Sequence, residues 1–123
     1  HSLRRRQRQM CIRDRIRSGL IIVKRHVEDL RVSSISARIH TGELTCIHLF
    51  YNTNANFIVS DDREFLREMR RLGIPVLTSP SIIVLMVSRG FLDKKEGLKY
   101  LLSLRGMVSE EELKRAYGRL LIL

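Results

Sequence analysis

The feature that most constrains this chain is a junction. The apolar run Phe57-Ile58-Val59 stops at Ser60-Asp61-Asp62-Arg63-Glu64, and a helical pattern starts at once with Phe65. A buried parallel strand reads as a short run of apolar residues with abrupt ends. In open α/β folds the carboxyl edges of such strands are the usual place for a site. Three acids in four positions repel one another and raise each other's proton affinity. Two readings of them stand side by side. In one, a hard cation such as Mg²⁺ relieves the repulsion. In the other, Ser60 or Asp61 caps the following helix, and acids in its first turn suit the helix dipole.

The surrounding pattern alternates between strand and helix. Leu20-Ile21-Ile22-Val23 is a β-branched run expected to form a strand. Residues 24–34 are expected as a loop with a helical turn, and Ile35–Ile39 as another short turn. Thr41 is the expected cap of a helix whose stripe is Leu44, Ile47 and Tyr51, widened by Phe50 and closed by the turn formers Asn52–Asn56. After the junction, Phe65, Leu66, Met69 and Leu72 share one helix face, and Gly73 suits the helix end. Ile74–Leu77 is the next strand, with Pro75 better placed at its beginning than its centre. Thr78-Ser79-Pro80 opens an apolar helix over Ser81–Arg89, expected to lie largely buried against the sheet. Asp93 with Glu96, and Ser109 with Glu112, have the spacing of capping boxes. The acid run 110–112 is therefore read as a helix start. This order predicts an α/β fold with about three parallel strands joined by helical crossovers.

Composition narrows the function classes. The 123 residues are enough for one domain, and 44% hydrophobic content supports a core. Formal net charge is +10, yet residues 1–17 hold seven arginines against one aspartate, so most of the excess lies there. That stretch, lacking a clear period, is expected to be a disordered arm; it also resembles translated adapter sequence, which would make it foreign to the domain. Aromatic content of 6% without tryptophan argues against a stacking platform for single strands. Cys11 and Cys46 lack the spacing of a thiolate metal site, and Cys46 is expected as a small buried residue. His48 is expected as a packed or boundary residue and His40 as a loop residue. With His1 and His26 they form no zinc set. No apolar stretch reaches the ~20 residues of a membrane span, and the expected location is cytoplasmic.

Gly42-Glu43 at a helix start, followed by a strand running into Ser60-Asp61-Asp62-Arg63-Glu64-Phe65, then Leu72-Gly73-Ile74-Pro75-Val76 and an apolar helix ending Arg89-Gly90-Phe91-Leu92, resembles the later part of a PIN domain. The resemblance covers residues 18–117. It implies a three-layer, parallel-sheet PIN-like fold, and by it residues 18–123 are expected to be the C-terminal part of such a domain. It implies metal-dependent hydrolysis of RNA phosphodiesters, in some relatives as the toxin of a toxin–antitoxin pair, so RNA, an antitoxin protein or a second copy are the expected partners. Glu43, Asp62 and Glu64 carry over as catalytic, metal-binding acids for Mg²⁺ or Mn²⁺, with Asp61 a weaker ligand and Ser60 in support. Arg63 and Arg67 are expected nucleic-acid contacts. The sequence departs from the family in one respect: the opening strand that delivers an aspartate has no counterpart, and Asp14 does not match it. The expectation is therefore a truncated domain with an incomplete site, inactive as it stands. The competing expectation is a non-catalytic protein-interaction module.

Overall fold

The computed structural model describes residues 2–25, 28–34, 39 and 41–123. In chain order the elements are helix α1 (Ser2–Arg17), a 3₁₀ turn (Leu30–Ser34), α2 (Thr41–Asn52), strand β1 (Ile58–Val59), α3 (Arg63–Leu72), β2 (Val76–Leu77), α4 (Ser79–Ser88), α5 (Lys94–Ser103) and α6 (Glu110–Leu121). The result is a mixed α/β fold with a small sheet. β1 and β2 pair in parallel, with Ile58 opposite Val76 and Val59 opposite Leu77. The pairing extends past the named strands, since Ile58 N–H donates to Pro75 O at 2.9 Å and Ser60 N–H to Leu77 O at 3.1 Å. Pro75 thus enters the ladder as an acceptor alone, which is the role open to a residue without an N–H.

Local chemistry sets the helix limits. α3 starts at Asp62, whose side chain accepts from Phe65 N–H, and ends at Gly73 in the left-handed region, φ 73°. Ile74 N–H then reaches back to Met69 O at 2.9 Å, closing the helix end as a left-handed glycine allows. Thr78 caps α4 with Pro80 in its first turn. Asp93 and Glu96 cap α5 reciprocally, and Ser109 caps α6 through Glu112 N–H.

Two apolar clusters hold these elements. The first gathers Val32, Ile39, Ile47, Ile58, Phe65, Met69 and Ile74, with Leu44, Phe50, Tyr51, Leu72 and Val76 packed around them. Phe65, Ile47 and Met69 are fully buried; each such side chain stabilises the fold by about 1.5–3 kcal/mol. The second cluster gathers Val84, Leu101, Ala116 and Leu120, flanked by Ile83, Val87 and Leu98.

Four expectations need correction. Leu20–Val23 is not a strand: it follows the end of α1 and has Leu20 and Val23 79% and 74% exposed. A short apolar run becomes a strand only where a neighbour completes its hydrogen bonds, and among the described residues the sheet has two strands. Residues 2–17 are helical, with their described side chains exposed. α4 packs on α5 and α6 rather than lying buried against the sheet, which leaves Leu85 and Met86 each 37% exposed. Cys46, next to the buried Ile47, points outward and is exposed. The turn expected over Ile35–Ile39 lies outside the described residues except for Ile39, which is buried in the first cluster. His1, His26 and His40 also lie outside them.

Candidate functional site

The junction forms as the alternation predicts: β1 delivers Ser60, Asp61 and Asp62 to its carboxyl edge, and α3 begins immediately. The turn is held from within. Asp62 N–H donates to Ser60 Oγ at 3.2 Å, and Phe65 N–H donates to Asp62 Oδ1 at 2.9 Å. The cap of α3 is therefore Asp62, correcting the expectation of Ser60 or Asp61. Asp62 has the extended backbone of a cap residue, φ −71° and ψ 124°, so the cap falls one position later than the charge pattern alone indicates.

Asp61 has a different task. Its Oδ1 accepts from Ser79 N–H at 2.7 Å, and its Oδ2 accepts from Ser79 Oγ. A carboxylate at the first turn of α4 meets the orphan N–H groups and the positive end of the helix dipole. Two consecutive acids thus secure the starts of two helices, each of which follows one of the paired strands. The register explains why. Ile58 lies opposite Val76 and Val59 opposite Leu77, and continuing that offset sets Asp61 opposite Ser79.

The other expected acids sit in first turns of helices. Glu64 is in the first turn of α3, exposed, with no hydrogen-bond or ion-pair partner among the described residues. Glu43 is half-buried in the first turn of α2. Among the described residues, no group of three or more His, Cys, Asp or Glu side chains is placed to hold a metal. Mg²⁺ requires near-octahedral oxygen ligation. Here both oxygens of Asp61 and one of Asp62 already accept protein hydrogen bonds.

Sequence reasoning singled out Arg63 and Arg67 but missed the groups that face them across a cleft. Arg63, Arg67 and Arg70 recur along one face of α3, and Glu111, Glu112 and Arg115 of α6 line the opposite wall. Arg70 approaches Glu112 at 3.8 Å, while Arg115 reaches Glu111 at 3.2 Å and Glu112 at 3.5 Å. The i, i+4 and i+7 spacing of the α3 arginines was visible in the sequence; its pairing with α6 was not.

A separate ionic contact ties the preceding segment to α2. Arg31 donates to both carboxylate oxygens of Asp29, and its guanidinium lies 4.2 Å from the centre of the Tyr51 ring. The hydrogen bonds from Arg31's side chain, then its backbone, lower the Asp29 pKa to about 2. His48 Nδ1 accepts the Asp29 backbone N–H at 2.9 Å, so His48 is the boundary residue its sequence context indicates.

Residues 3–120 match the family described as DUF3368, a PIN domain. The chain belongs to that PIN-domain family. No curated protein and no solved structure matches it. The matched span of the PIN domain includes the arginine-rich stretch and continues through α6. No helix among the described residues is long and apolar enough to cross a membrane.

Proposed function

We propose that this chain is an RNA-engaging PIN domain bearing part of a metal-dependent phosphodiesterase site, and that this part does not cut RNA unaided. In this reading the paired strands and their helices belong to a three-layer PIN-like arrangement, residues 18–123 form the domain proper, and Glu43, Asp62 and Glu64 are its acidic residues. Ser60 orients Asp62, and Asp61 fixes the edge more than it serves as a ligand. The observation that carries the reading is the acidic turn at the carboxyl end of β1 in a chain of this family. The use of Asp61 and Asp62 at helix starts supports its incompleteness. When bound to a complete set, Mg²⁺ or Mn²⁺ would supply an activated water and stabilise charge on the phosphate.

A fluorogenic RNA incubated with Mn²⁺ or with EDTA tests this. The expected result is equal, background cleavage in both, with weak Mn²⁺ binding by calorimetry that weakens further in Asp62→Asn. Metal-dependent cleavage that Asp62→Asn abolishes would overturn the incompleteness. Mn²⁺ binding that Asp62→Asn leaves unchanged would remove Asp62 from the site.

A second reading, a non-catalytic protein-binding module for an antitoxin-like protein or a second copy, is favoured by a different surface. Leu98 and Leu102 of α5 and Leu113 and Tyr117 of α6 line an apolar cleft of about 440 Å³, with Leu102 53% exposed. Light scattering on the unsubstituted chain and on Leu102→Glu distinguishes the two: a dimer that Leu102→Glu dissociates supports it, and a monomer in both cases removes the second copy.

A further inference from the structure

We infer that the cleft between α3 and the start of α6 is a subsite for a backbone phosphate of single-stranded RNA, with Arg63 and Arg67 as its principal cations. This rests on the RNA reading above, and it concerns binding, not cleavage.

Half of the positive charge around the cleft is already matched. Of its four arginines, Arg70 and Arg115 have acidic partners on α6. Arg63 and Arg67 have no ion-pair partner among the described residues, and both are exposed. They are four residues apart on one helix, so their side chains are neighbours on the same face. Two adjacent guanidinium groups repel each other unless an anion lies between them. Guanidinium is the side chain best suited to grip a phosphate with paired N–H donors.

The paired arginines extend the same track. The approaches of Glu112 to Arg70 at 3.8 Å and to Arg115 at 3.5 Å are longer than the roughly 2.7–2.9 Å of a well-made charge-assisted hydrogen bond. Arg70 and Arg115 keep 67% and 43% of their side-chain surface exposed in these pairs, against 20% for Glu112, so a phosphate can approach both guanidinium groups from the solvent side. Glu111 and Glu112 thus act as built-in competitors that set the affinity of the cleft. Its floor includes Leu66, 8% exposed, and Thr78, 5% exposed, which limits the water behind a bound anion. The volume is about 280 Å³, at the small end for ligand sites, and suits one backbone unit rather than a duplex. Asp61 lies on its rim, so a phosphate seated here leaves the next part of the strand beside the acidic turn.

The test is fluorescence anisotropy of a labelled short single-stranded RNA in EDTA, over a salt titration. Arg63→Glu/Arg67→Glu should weaken binding about tenfold and reduce the slope of log K against log salt by about 0.7, the share of the one phosphate no longer neutralised. Arg63→Lys/Arg67→Lys, which keeps the charge and loses the paired donors, should weaken binding less than Arg63→Glu/Arg67→Glu does, and Glu111→Gln/Glu112→Gln should tighten it. All these positions are on helix surfaces, and circular dichroism checks that each variant is folded. Unchanged binding in Arg63→Glu/Arg67→Glu overturns the subsite. So does a weakening confined to an Arg13→Glu/Arg15→Glu variant of α1. If the unsubstituted chain binds no RNA, or binds an acidic peptide in its place, the RNA reading falls with it. Absence of cleavage does not bear on the result, because no metal is present.

Discussion

The two apolar clusters are built on opposite plans. The first joins parts distant in sequence, from Val32 to Ile74, through two short parallel strands and the helices beside them. The second is made of α4, α5 and α6, consecutive in the chain and each packed on the other two. The acidic turn belongs to the first plan, and the arginine cleft lies where the two meet. Asp61 to Ser79 and Arg70 to Glu112 cross that boundary. A chain assembled this way can place a site only as firmly as its boundary interactions allow.

The largest expected effect removes the centre of the first cluster. Phe65, 1% exposed, follows the acidic turn directly, and Phe65→Ala should cost about 3–5 kcal/mol. Urea denaturation measures the change, and α4–α6 should retain helical circular dichroism beyond the point where the packing of Ile47 and Met69 has melted. One cooperative transition for both clusters would show that the division is not energetic.

The second cluster has its own weak point. A Cβ on Gly97 would lie 2.6 Å from Val87 Cγ2 and 3.3 Å from Leu120 Cδ1. Val87 is branched at Cβ and cannot swing aside freely. Gly97→Ala should therefore destabilise by about 1–3 kcal/mol from overpacking, despite alanine's better helix propensity. Val87→Ala in the same chain should recover part of that stability. A stabilised Gly97→Ala, read from the denaturation midpoint, would mean that α4 and α5 are not held this closely.

At the boundary the effects are smaller. Ser79→Ala and Asp61→Asn should each cost about 1 kcal/mol, the usual value of a helix start held by a side chain. The double variant should cost less than the sum of the two, because the hydroxyl bond lost in Ser79→Ala is one of the two that Asp61→Asn disturbs. Additive costs in the denaturation midpoints would show that the carboxylate and Ser79 act separately.

The smallest effect tests how the segment before α2 is held. Asp29 has a folded pKa of about 2 against an ordinary 3.8, and Arg31 is the cause. A lowered carboxylate pKa contributes stability that is fully present above the unfolded value and is lost as pH falls through the folded one. Thermal stability should therefore decline between about pH 4 and pH 2, and Asp29→Asn should flatten that part of the profile. An unaltered profile would place the acid sensitivity elsewhere.

The sequence revealed most where local chemistry decides structure. Thr78, Asp93 and Ser109 cap their helices in the structure, and Gly73 ends α3 with the expected positive φ. The parallel strand pair was legible because two apolar runs flank one amphipathic helix. What failed depended on partners. Leu20–Val23 has strand composition, but no neighbour among the described residues makes it one. Cys46 lies in an apolar run, yet its position on the turn of α2 exposes it. The role of Asp61 depended on Ser79, eighteen residues later, which only the strand register brings near. Charge density pointed to this turn as a site, but not to how much of that charge was already engaged.

The sequence-local assembly of α4–α6 has a kinetic consequence. Each of α4, α5 and α6 packs on the helix next to it in the chain across a short connection, whereas the first cluster must bring together residues from Val32 to Ile74. The C-terminal helices should therefore gain amide protection first during refolding, with the backbone amides of Ile58 and Ser60 following. Residues 79–121 then provide the surface on which the sheet edge, and with it the acidic turn, takes its final shape.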